Sequence, residues 1–394
     1  MENIRKTKEI VSLVTEHSLD YVAIVVTPWH IDSFLAALEY IETVQKRKLS
    51  GVVVILKHPQ TGFCFDKNNV FVDSSDSVFI EYYDSDFSKS DKIETLLFMF
   101  SLFFRKKRVF EKKDFFVFSP AFPSYCFNKK LINATGRNVV SVITDEGIGS
   151  YLTTPHMWAK LYATGKGLLF VPVYVTKRLK LALFGKKYEN MQEKRNYLIN
   201  CSLFCLKSRQ ILLNRTIIPY FLSTLSNHKQ KVTSVEKNEK YVLVNTDPLS
   251  ELLKDPNKDK QLYLKTFESV CGIFHKYGFM VYIKPHPRES GDLYKTIENV
   301  AVMSNHNNFS QEEMMANVVN KPAFLVGFDS STLVTMHVFF DIQSISILPL
   351  IKNLVLKDSI SHLKGILKLN PKMSLIESTE ELEKVISDFQ ANNI

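Results

Sequence analysis

Two adjacent carboxylates, Asp145 and Glu146, follow a β-branched apolar run at residues 139–143 and precede Gly147. The run predicts a buried strand, and the glycine predicts a turn directly after it. A carboxylate at such a strand end can take a proton from an attacking hydroxyl group when its pKa lies near the working pH. Because neighbouring strand residues point to opposite faces, we expect one carboxylate to act as a general base and the other to fix the loop. A solvated acidic turn is the alternative.

A histidine between two prolines, His286, lies in the sequence KPHPR at residues 284–288. The prolines stiffen the turn and remove backbone donors. Held beside Lys284 and Arg288, the imidazole ring can donate a hydrogen bond to a phosphate. A purely structural histidine is the alternative, and the same dipeptide at His58 shows that it is a weak signal by itself.

Three hydroxyl residues, Ser330, Ser331 and Thr332, follow a predicted strand at residues 323–326 and begin a predicted helix. Hydroxyl groups and unpaired backbone N–H groups at a helix N-terminus make a binding site for an anion. An ordinary Ser/Thr helix cap is the commoner outcome for such a triplet. The three stretches together therefore indicate a general base, a hydrogen-bond donor to a phosphate, and a binding site for an anion.

Signatures of other chemistries are missing from the sequence, including the P-loop, GxGxxG, HExxH, GxSxG and EF-hand patterns. The five cysteines include no CxxC pair, so we predict buried or free thiols rather than a zinc site. Asp84 and Asp86 lie in a polar segment without further metal ligands. We expect neither a cofactor nor a metal requirement.

The elements that must position these residues alternate between strands and helices. Strands are predicted at residues 21–26, 52–56, 115–118, 139–143, 241–244, 279–283, 301–303, 323–326 and 344–347. Helices are predicted at 33–45 with Asp32 as the cap, at 260–277 ended by Gly278, at 311–319, and from 330 and 378 onward. This rhythm predicts an α/β fold with parallel sheets.

A polar stretch at residues 223–239 separates the two series of strands and predicts a linker. We therefore predict an N-terminal α/β domain at 1–225, a linker at 226–240 and a C-terminal α/β domain at 241–394. Two Rossmann-like domains facing each other across a cleft form the GT-B architecture of nucleotide-sugar glycosyltransferases. The pattern alone also permits other two-domain α/β enzymes.

Positive charge is concentrated in one part of the chain. Residues 91–190 contain 17 Lys and Arg and 7 Asp and Glu, a net charge of +10, whereas the whole chain carries +9. Such an excess predicts a polyanionic partner, and no nucleic-acid-binding signature accompanies it. The apolar run at residues 96–104 is too short to span a bilayer and is followed by RKKR, so a buried helix face and a membrane-surface helix are the two interpretations. The chain opens without a secretory signal pattern.

The order of the three stretches resembles that of the bacterial capsule polysialyltransferases and their sialyltransferase relatives. TDEGIGSY at residues 144–151 is similar to their acidic-acidic-glycine motif, and YIKPHPRES at 282–290 is similar to their HP motif. FLVGFDSSTLV at 324–334, with the later SISILPL, is similar to their Ser-Ser segment. The similarity is strong only around 139–151 and 279–350; elsewhere it is a shared strand–helix rhythm.

This resemblance implies a GT-B fold and an inverting, metal-independent transfer of sialic acid from CMP-sialic acid. It assigns Glu146 as the catalytic base and His286 as the residue that binds or protonates the leaving phosphate. Ser330 and Ser331 match the phosphate-binding pair, Thr332 is a weaker candidate, and Glu312 matches a ribose ligand. We expect Lys284 to assist in binding the donor.

Asp145, Gly147 and Arg288 are further candidates near these motifs. His30 lies in a predicted loop at residues 27–30 and is a candidate for contact with the acceptor, although a structural histidine is the commoner case.

The expected function is that of a polysialyltransferase that makes a capsular polysaccharide on an acidic, sialylated acceptor. The expected location is the bacterial cytoplasm, at the inner face of the membrane, near capsule assembly proteins. Three alternatives stay open: a mono-sialyltransferase for lipooligosaccharide or capsule side chains, a transferase for another CMP-activated acid sugar such as Kdo, and a non-catalytic polyanion- or membrane-binding protein.

Overall fold

The structure is a computed structural model of the 394-residue chain and describes residues 7–56, 77–82, 114–120, 135–145, 198–207, 210–227, 240–286, 289, 291–303 and 310–392. The chain divides into two compact units. The described residues up to Asp145, together with residues 198–227, form the first unit. The described residues from Lys240 onward form the second.

The first unit is built on a parallel six-stranded sheet. Its strands have the order β3-β2-β1-β4-β5-β6. They are β1 (Tyr21–Val25), β2 (Gly51–Leu56), β3 (Ser77–Tyr82), β4 (Phe115–Ser119), β5 (Val139–Ile143) and β6 (Leu198–Asn200). The β-branched and aromatic runs of β1 and β4 are buried, as expected of central strands covered on both faces.

Three helices and a hairpin complete the described part of this unit. The helices are α1 (Thr7–Glu16), α2 (Pro28–Gln45) and α3 (Ile218–Asn227), and the hairpin joins β7 (Phe204–Lys207) to β8 (Gln210–Leu213). Helix α3 runs two residues into the predicted linker. The domain boundaries stay a prediction, because residues 228–239 lie outside the described residues.

The start of helix α2 differs from the sequence prediction. The helix begins at Pro28, and the Thr27 side chain caps it by accepting the His30 N–H. The predicted loop at residues 27–30 and the predicted cap at Asp32 are therefore wrong. Proline at the first helical position and threonine before it form a stronger start signal than Asp32, which is buried inside the helix.

The second unit repeats the same sheet order with different strands, β11-β10-β9-β12-β13-β14, again all parallel. The strands are β9 (Tyr241–Asn245), β10 (Met280–Lys284), β11 (Val300–Val302), β12 (Phe324–Gly327), β13 (Gln343–Ser346) and β14 (Ser374–Leu375). Strands 3-2-1-4-5-6 in space are the order of a Rossmann fold, so the predicted fold class of two Rossmann-like α/β domains is confirmed.

The helices of the second unit are α4 (Leu249–Leu252), α5 (Pro256–Lys276), α6 (Gln311–Asn317), α7 (Thr332–Phe340), α8 (Lys357–Leu369) and α9 (Thr379–Asn392), with 3-10 turns at Gly291–Tyr294 and Leu348–Ile351. Helix α5 starts at Pro256, earlier than predicted, because Asp255 caps it. Gly278 follows this helix with φ of +78°, which confirms the predicted left-handed glycine.

The C-terminal part of the chain packs onto the central strands of this unit. The Phe389 ring lies 4.5 Å from the ring of Phe324, the first residue of β12. The Asn370 side chain donates a hydrogen bond of 2.8 Å to the backbone carbonyl of Leu333 in the first turn of α7. Residues from 370 onward therefore support the strand and the helix that flank residues 328–331.

In an open parallel sheet, ligands bind at the carboxyl ends of the strands, where the strand order reverses. In the first unit this point lies between β1 and β4, and in the second between β9 and β12. We call the residues at 245–247, 284–286 and 327–332 the donor edge: they follow β9, β10 and β12 of the second sheet, and the sequence resemblance predicts that the nucleotide-sugar donor binds there. The described part of the KPHPR motif, residues 284–286, and the hydroxyl triplet at 330–332 both lie at this edge.

Candidate active site

Asp145 lies two residues after the end of β5, and hydrogen bonds hold both its carboxylate and its backbone N–H group. Its side chain is buried, with 1% of its surface exposed. One carboxylate oxygen accepts the indole N–H of Trp29 at 3.1 Å, and the other accepts the Leu203 N–H at 2.7 Å. Its backbone N–H donates to the Ser33 hydroxyl at 2.5 Å. Asp145 thus ties the end of β5 to helix α2 and to residue 203.

These bonds give Asp145 the anchoring role that the sequence predicts for one of the two carboxylates. A general base must reach the substrate hydroxyl, whereas Asp145 is buried and both of its oxygens are engaged. Glu146 and Gly147 lie outside the described residues. The assignment of Glu146 as the base stays a prediction.

His30 lies in the first turn of α2, with 8% of its surface exposed. Its Nδ1 accepts the Val26 N–H at 3.2 Å, which assigns the ring proton of the neutral form to Nε2. The neighbouring Trp29 ring stacks on Phe221 at 5.3 Å. The ring of His30 therefore helps to hold the segment between β1 and α2, and contact with an acceptor stays a prediction.

His286 follows β10 at the donor edge. Its backbone N–H donates to the Thr246 hydroxyl at 3.0 Å, and Thr246 directly follows β9. The Thr246 N–H in turn donates to the Lys284 carbonyl at 3.3 Å. The predicted catalytic histidine is therefore attached to the neighbouring strand through a buried threonine. Arg288 lies outside the described residues.

Lys284 ends β10 and shares its surroundings with Glu312 of helix α6. Burial lowers the pKa of the Lys284 ammonium, and the Glu312 carboxylate opposes this shift. The Glu312 side chain is itself buried and accepts a hydrogen bond from the Thr335 hydroxyl of α7. Glu312 is thus close enough to affect the charge of Lys284, and its own carboxylate is bonded to helix α7.

The hydroxyl triplet begins helix α7 as predicted. Ser331 is its N-cap, and within the described part of the chain its side chain makes no capping hydrogen bond. The hydroxyls of Ser330 and Thr332 lie 2.9 Å apart, and the Asn245 amide donates to Thr332 at 2.7 Å and to Gln311 at 2.6 Å. Asn245 therefore connects β9, α6 and α7 beneath the predicted phosphate cradle.

Two further acids, Asp247 and Asp329, lie at the donor edge. Burial and the neighbouring Asp329 carboxylate raise the pKa of Asp247 well above its usual value. The Asp329 carboxylate also lies 3.3 Å from Nδ1 of His362 in helix α8. The raised pKa means that Asp247 takes up a proton more readily than an ordinary aspartate, which reduces the negative charge at this edge.

Several of these residues were not singled out from the sequence: Asn245, Thr246, Asp247, Glu289, Gln311, Asp329, Thr335 and His362. The signal for the first three was available, because the polar sequence NTDP follows the predicted strand at 241–244 at the same edge as KPHP. The contacts of Gln311, Thr335 and His362 depend on helix packing, which the sequence pattern does not specify. Among the described residues, no group of three His, Cys, Asp or Glu side chains is placed to hold a metal ion.

Two parallel sheets of Rossmann order are the features of a GT-B fold, and in the second sheet the predicted phosphate-binding residues lie at the carboxyl edge. The family model of alpha-2,8-polysialyltransferase (POLYST) matches residues 4–348. The chain belongs to this family and is a sialyltransferase, an enzyme that takes a sugar-nucleotide donor and a glycan acceptor. The alternative of a non-catalytic binding protein is therefore set aside.

A comparison with curated protein sequences found no match. Similar solved structures include an α/β-galactoside α-2,3-sialyltransferase from Photobacterium phosphoreum, with 9% identity over 94% of this chain and 99% of that chain and a TM-score of 0.41. A sialyltransferase from Photobacterium damsela has 9% identity over 90% and 81%, with a TM-score of 0.42. A putative UDP-N-acetylglucosamine 2-epimerase from Listeria monocytogenes has 11% identity over 95% and 88%, with a TM-score of 0.47. These likenesses are distant, and the family assignment rests on the family match.

Proposed function

We propose that this sialyltransferase moves sialic acid from CMP-sialic acid to a hydroxyl group of a sialylated acceptor, with inversion and without a metal, and so extends a capsular polysaccharide. The observation that carries the donor side of this proposal is the gathering of Lys284, His286 and the residues at 330–332 at one sheet edge. The acceptor side rests on the family and on the position of Glu146 directly after the anchored Asp145.

On the acceptor side, the oxygen of the acceptor hydroxyl forms a bond to the anomeric carbon of sialic acid, and Glu146 takes the proton of that hydroxyl. The bond from that carbon to the phosphate oxygen of CMP breaks, and CMP leaves with the electron pair. Attack from the face opposite the leaving group inverts the configuration. Asp145 contributes because its hydrogen bonds fix the backbone directly before the base.

On the donor side, the phosphate gains negative charge as CMP leaves. His286 donates a proton or a hydrogen bond to it, Lys284 supplies positive charge, and Ser330, Ser331 and Thr332 surround it at the start of α7. Preorganised donors of this kind are each worth about 3 kcal/mol of transition-state stabilisation. Glu312 binds the ribose hydroxyls.

The leaving group carries one phosphate, so it develops less charge than a nucleoside diphosphate. Hydroxyl groups, a histidine, a lysine and a helix N-terminus can then take the place of a metal ion. We expect full activity in the presence of a chelator. No cofactor is needed, because the bond that breaks is already activated in the donor.

The acceptor is an acidic oligo- or polysaccharide. The net charge of +10 in residues 91–190 suits a growing polyanionic chain, and it also suits the inner membrane surface, where capsule assembly proteins would meet the enzyme. Most of these residues lie outside the described ranges. Within the described ranges, no helix is long and apolar enough to cross a membrane. Nucleic acid is not expected as a partner.

The test is incubation with CMP-sialic acid and a panel of sialylated and galactosyl acceptors, with products measured by mass spectrometry. We expect ladders of added sialic acid on sialylated acceptors, unchanged by EDTA and abolished by Glu146→Gln and His286→Ala. A single addition would instead identify a mono-sialyltransferase. The same assay is repeated with CMP-Kdo as the donor. Turnover of CMP-Kdo but not of CMP-sialic acid would identify a transferase of another acid sugar. Loss of activity with EDTA would contradict the metal-independent mechanism.

A further inference from the structure

The turn that contains His286 is closed by Glu289. The Glu289 N–H donates to the His286 carbonyl at 2.8 Å. The His286 N–H donates to Thr246, and the Thr246 hydroxyl donates to the Glu289 carboxylate at 2.5 Å. Both backbone polar groups of His286 are therefore bonded to Glu289, one directly and one through a single hydroxyl group.

Thr246 has no spare proton for another role in this arrangement. A threonine hydroxyl has one proton to donate and accepts through its lone pairs. Here it accepts the His286 N–H and gives its proton to Glu289, so the carboxylate determines which way the hydroxyl points. Thr246 is buried, with 3% of its surface exposed, so water does not readily replace either partner.

Two further groups fix the Glu289 carboxylate. Its Oε1 accepts the Leu249 N–H at 3.3 Å, and the Tyr294 hydroxyl lies 3.3 Å from Oε2. Tyr294 is fully buried and bonds to the Tyr263 hydroxyl of α5 at 3.1 Å. Burial raises the pKa of Glu289, and these hydrogen bonds oppose that rise.

We propose that Glu289, acting through Thr246, is the positioning residue that sets the backbone of His286 for its contact with the leaving phosphate. This inference rests on the role of His286 in the proposed function. A histidine whose backbone is displaced by about 1 Å would still bind donor nearby but would meet the developing charge poorly, and such a displacement can cost about 100-fold in rate.

The substitution Thr246→Val removes the hydroxyl and keeps the shape, so it breaks the link from the His286 N–H through the hydroxyl to the Glu289 carboxylate and leaves the bond from the Glu289 N–H to the His286 carbonyl in place. We expect kcat to fall about 10- to 100-fold while the KM for CMP-sialic acid changes less than about threefold. Thr246→Ser restores the hydroxyl and should recover most of the activity. Glu289→Gln should show an intermediate loss of kcat, because its single amide oxygen cannot accept from Thr246, Leu249 and Tyr294 together.

A double-mutant cycle separates positioning from general loss of structure. In a His286→Ala background, Thr246→Val should change kcat by less than about twofold, because the group that it positions is gone. The matched control is Ser344→Ala in β13 of the same sheet. The Ser344 hydroxyl is buried and has no hydrogen-bond partner among the described residues. This control should leave kcat unchanged in both backgrounds.

Equal losses from Thr246→Val with and without His286 would overturn the positioning role, as would wild-type activity in Thr246→Val. If Thr246→Val does not fold, the same double-mutant cycle with His286→Ala can be measured with Glu289→Gln. A small effect of His286→Ala alone would instead contradict the proposed function, so the two failures are distinguishable.

Discussion

The Leu203 N–H donates to the Asp145 carboxylate at 2.7 Å, while the Trp29 indole N–H occupies the other carboxylate oxygen. These bonds give Asp145 a structural role that differs from the role proposed for the adjacent Glu146. Asp145 holds three segments of the first unit together through its hydrogen bonds, and the proposed mechanism assigns the role of general base to Glu146, one residue later. Substitutions at the two positions should therefore have different effects.

Asp145→Asn should destabilise the protein, because an amide has one acceptor oxygen and must present an N–H group to one of the two donors. The free energy of unfolding should fall by about 1–3 kcal/mol, measured by chemical denaturation. Glu146→Gln should reduce kcat by about 100-fold or more without a comparable loss of stability. An inactive, fully stable Asp145→Asn beside an active Glu146→Gln would identify Asp145 as the base.

His286→Ala should lower kcat by about 100- to 10,000-fold, because the leaving phosphate loses its proton donor. The pH profile of kcat should also lose its alkaline limb, since that limb reports deprotonation of the histidine in the enzyme–substrate complex. His275→Ala is the matched control, because His275 is exposed on helix α5. An unchanged pH profile in His286→Ala would show that another group protonates or binds the phosphate.

Ser331→Ala should weaken CMP binding by about 3- to 10-fold, as expected for one neutral hydrogen bond, and leave the unfolding midpoint almost unchanged. The reason is that the Ser331 side chain makes no capping bond within the described part of the chain. Asp255→Ala is the converse control, since Asp255 caps α5. It should cost about 1 kcal/mol of stability and leave CMP binding intact, with both read by calorimetry. A destabilised Ser331→Ala with normal affinity would reverse the assignment.

The pH dependence of CMP binding should report Lys284. Burial lowers the pKa of its ammonium group, so the folded protein loses this charge at a lower pH than an ordinary lysine, about 10.4. CMP affinity should therefore decline on the alkaline side, and Lys284→Met should abolish the decline. Glu312→Gln removes the carboxylate that raises this pKa, so the decline should move to lower pH.

The same shift has a defined effect on stability. Between the folded pKa of Lys284 and about 10.4, the unfolded chain binds more protons than the folded chain, so stability should rise with pH in that window. Lys284→Met should flatten this part of the stability curve. A curve that falls with pH in wild type but not in Lys284→Met would show that the folded state stabilises the charged lysine.

Salt should distinguish the two substrates. Binding of a long sialylated acceptor to the basic region at 91–190 involves many exposed charges, so its KM should rise steeply between low and physiological ionic strength. CMP carries few charges, so its binding should respond weakly. Equal salt dependence for a short and a long acceptor would contradict a role of residues 91–190 in holding the polymer.

Much of the sheet structure follows from sequence periodicity. Strand β5 agrees with its predicted bounds at both ends, and strands β9 and β12 agree to within one residue at each end. Long β-branched runs between polar turns have few other stable arrangements. Helix α2 was misplaced at its start, because Thr27 and Pro28 compete with Asp32 as start signals and only packing shows that Asp32 is buried.

The residues that support the site were harder to predict. His286 is visible in the sequence because the prolines mark it, whereas Thr246 and Glu289 carry no such mark and meet only when β9 and β10 pair. Likewise, Asn245 reaches Thr332 across 87 residues of sequence. Motifs indicate the groups that react, but the bonds that hold those groups depend on strand register and helix packing.

The family match ends at residue 348, yet the second unit does not. A fragment cut there would retain every predicted site residue while losing Asn370, which bonds to the first turn of α7, and Phe389, which packs on the first residue of β12. The end of the family match therefore lies inside a compact unit and not at its boundary. Chimeras that exchange donor specificity among relatives should carry their junction before Lys240 and keep the native tail with its own sheet.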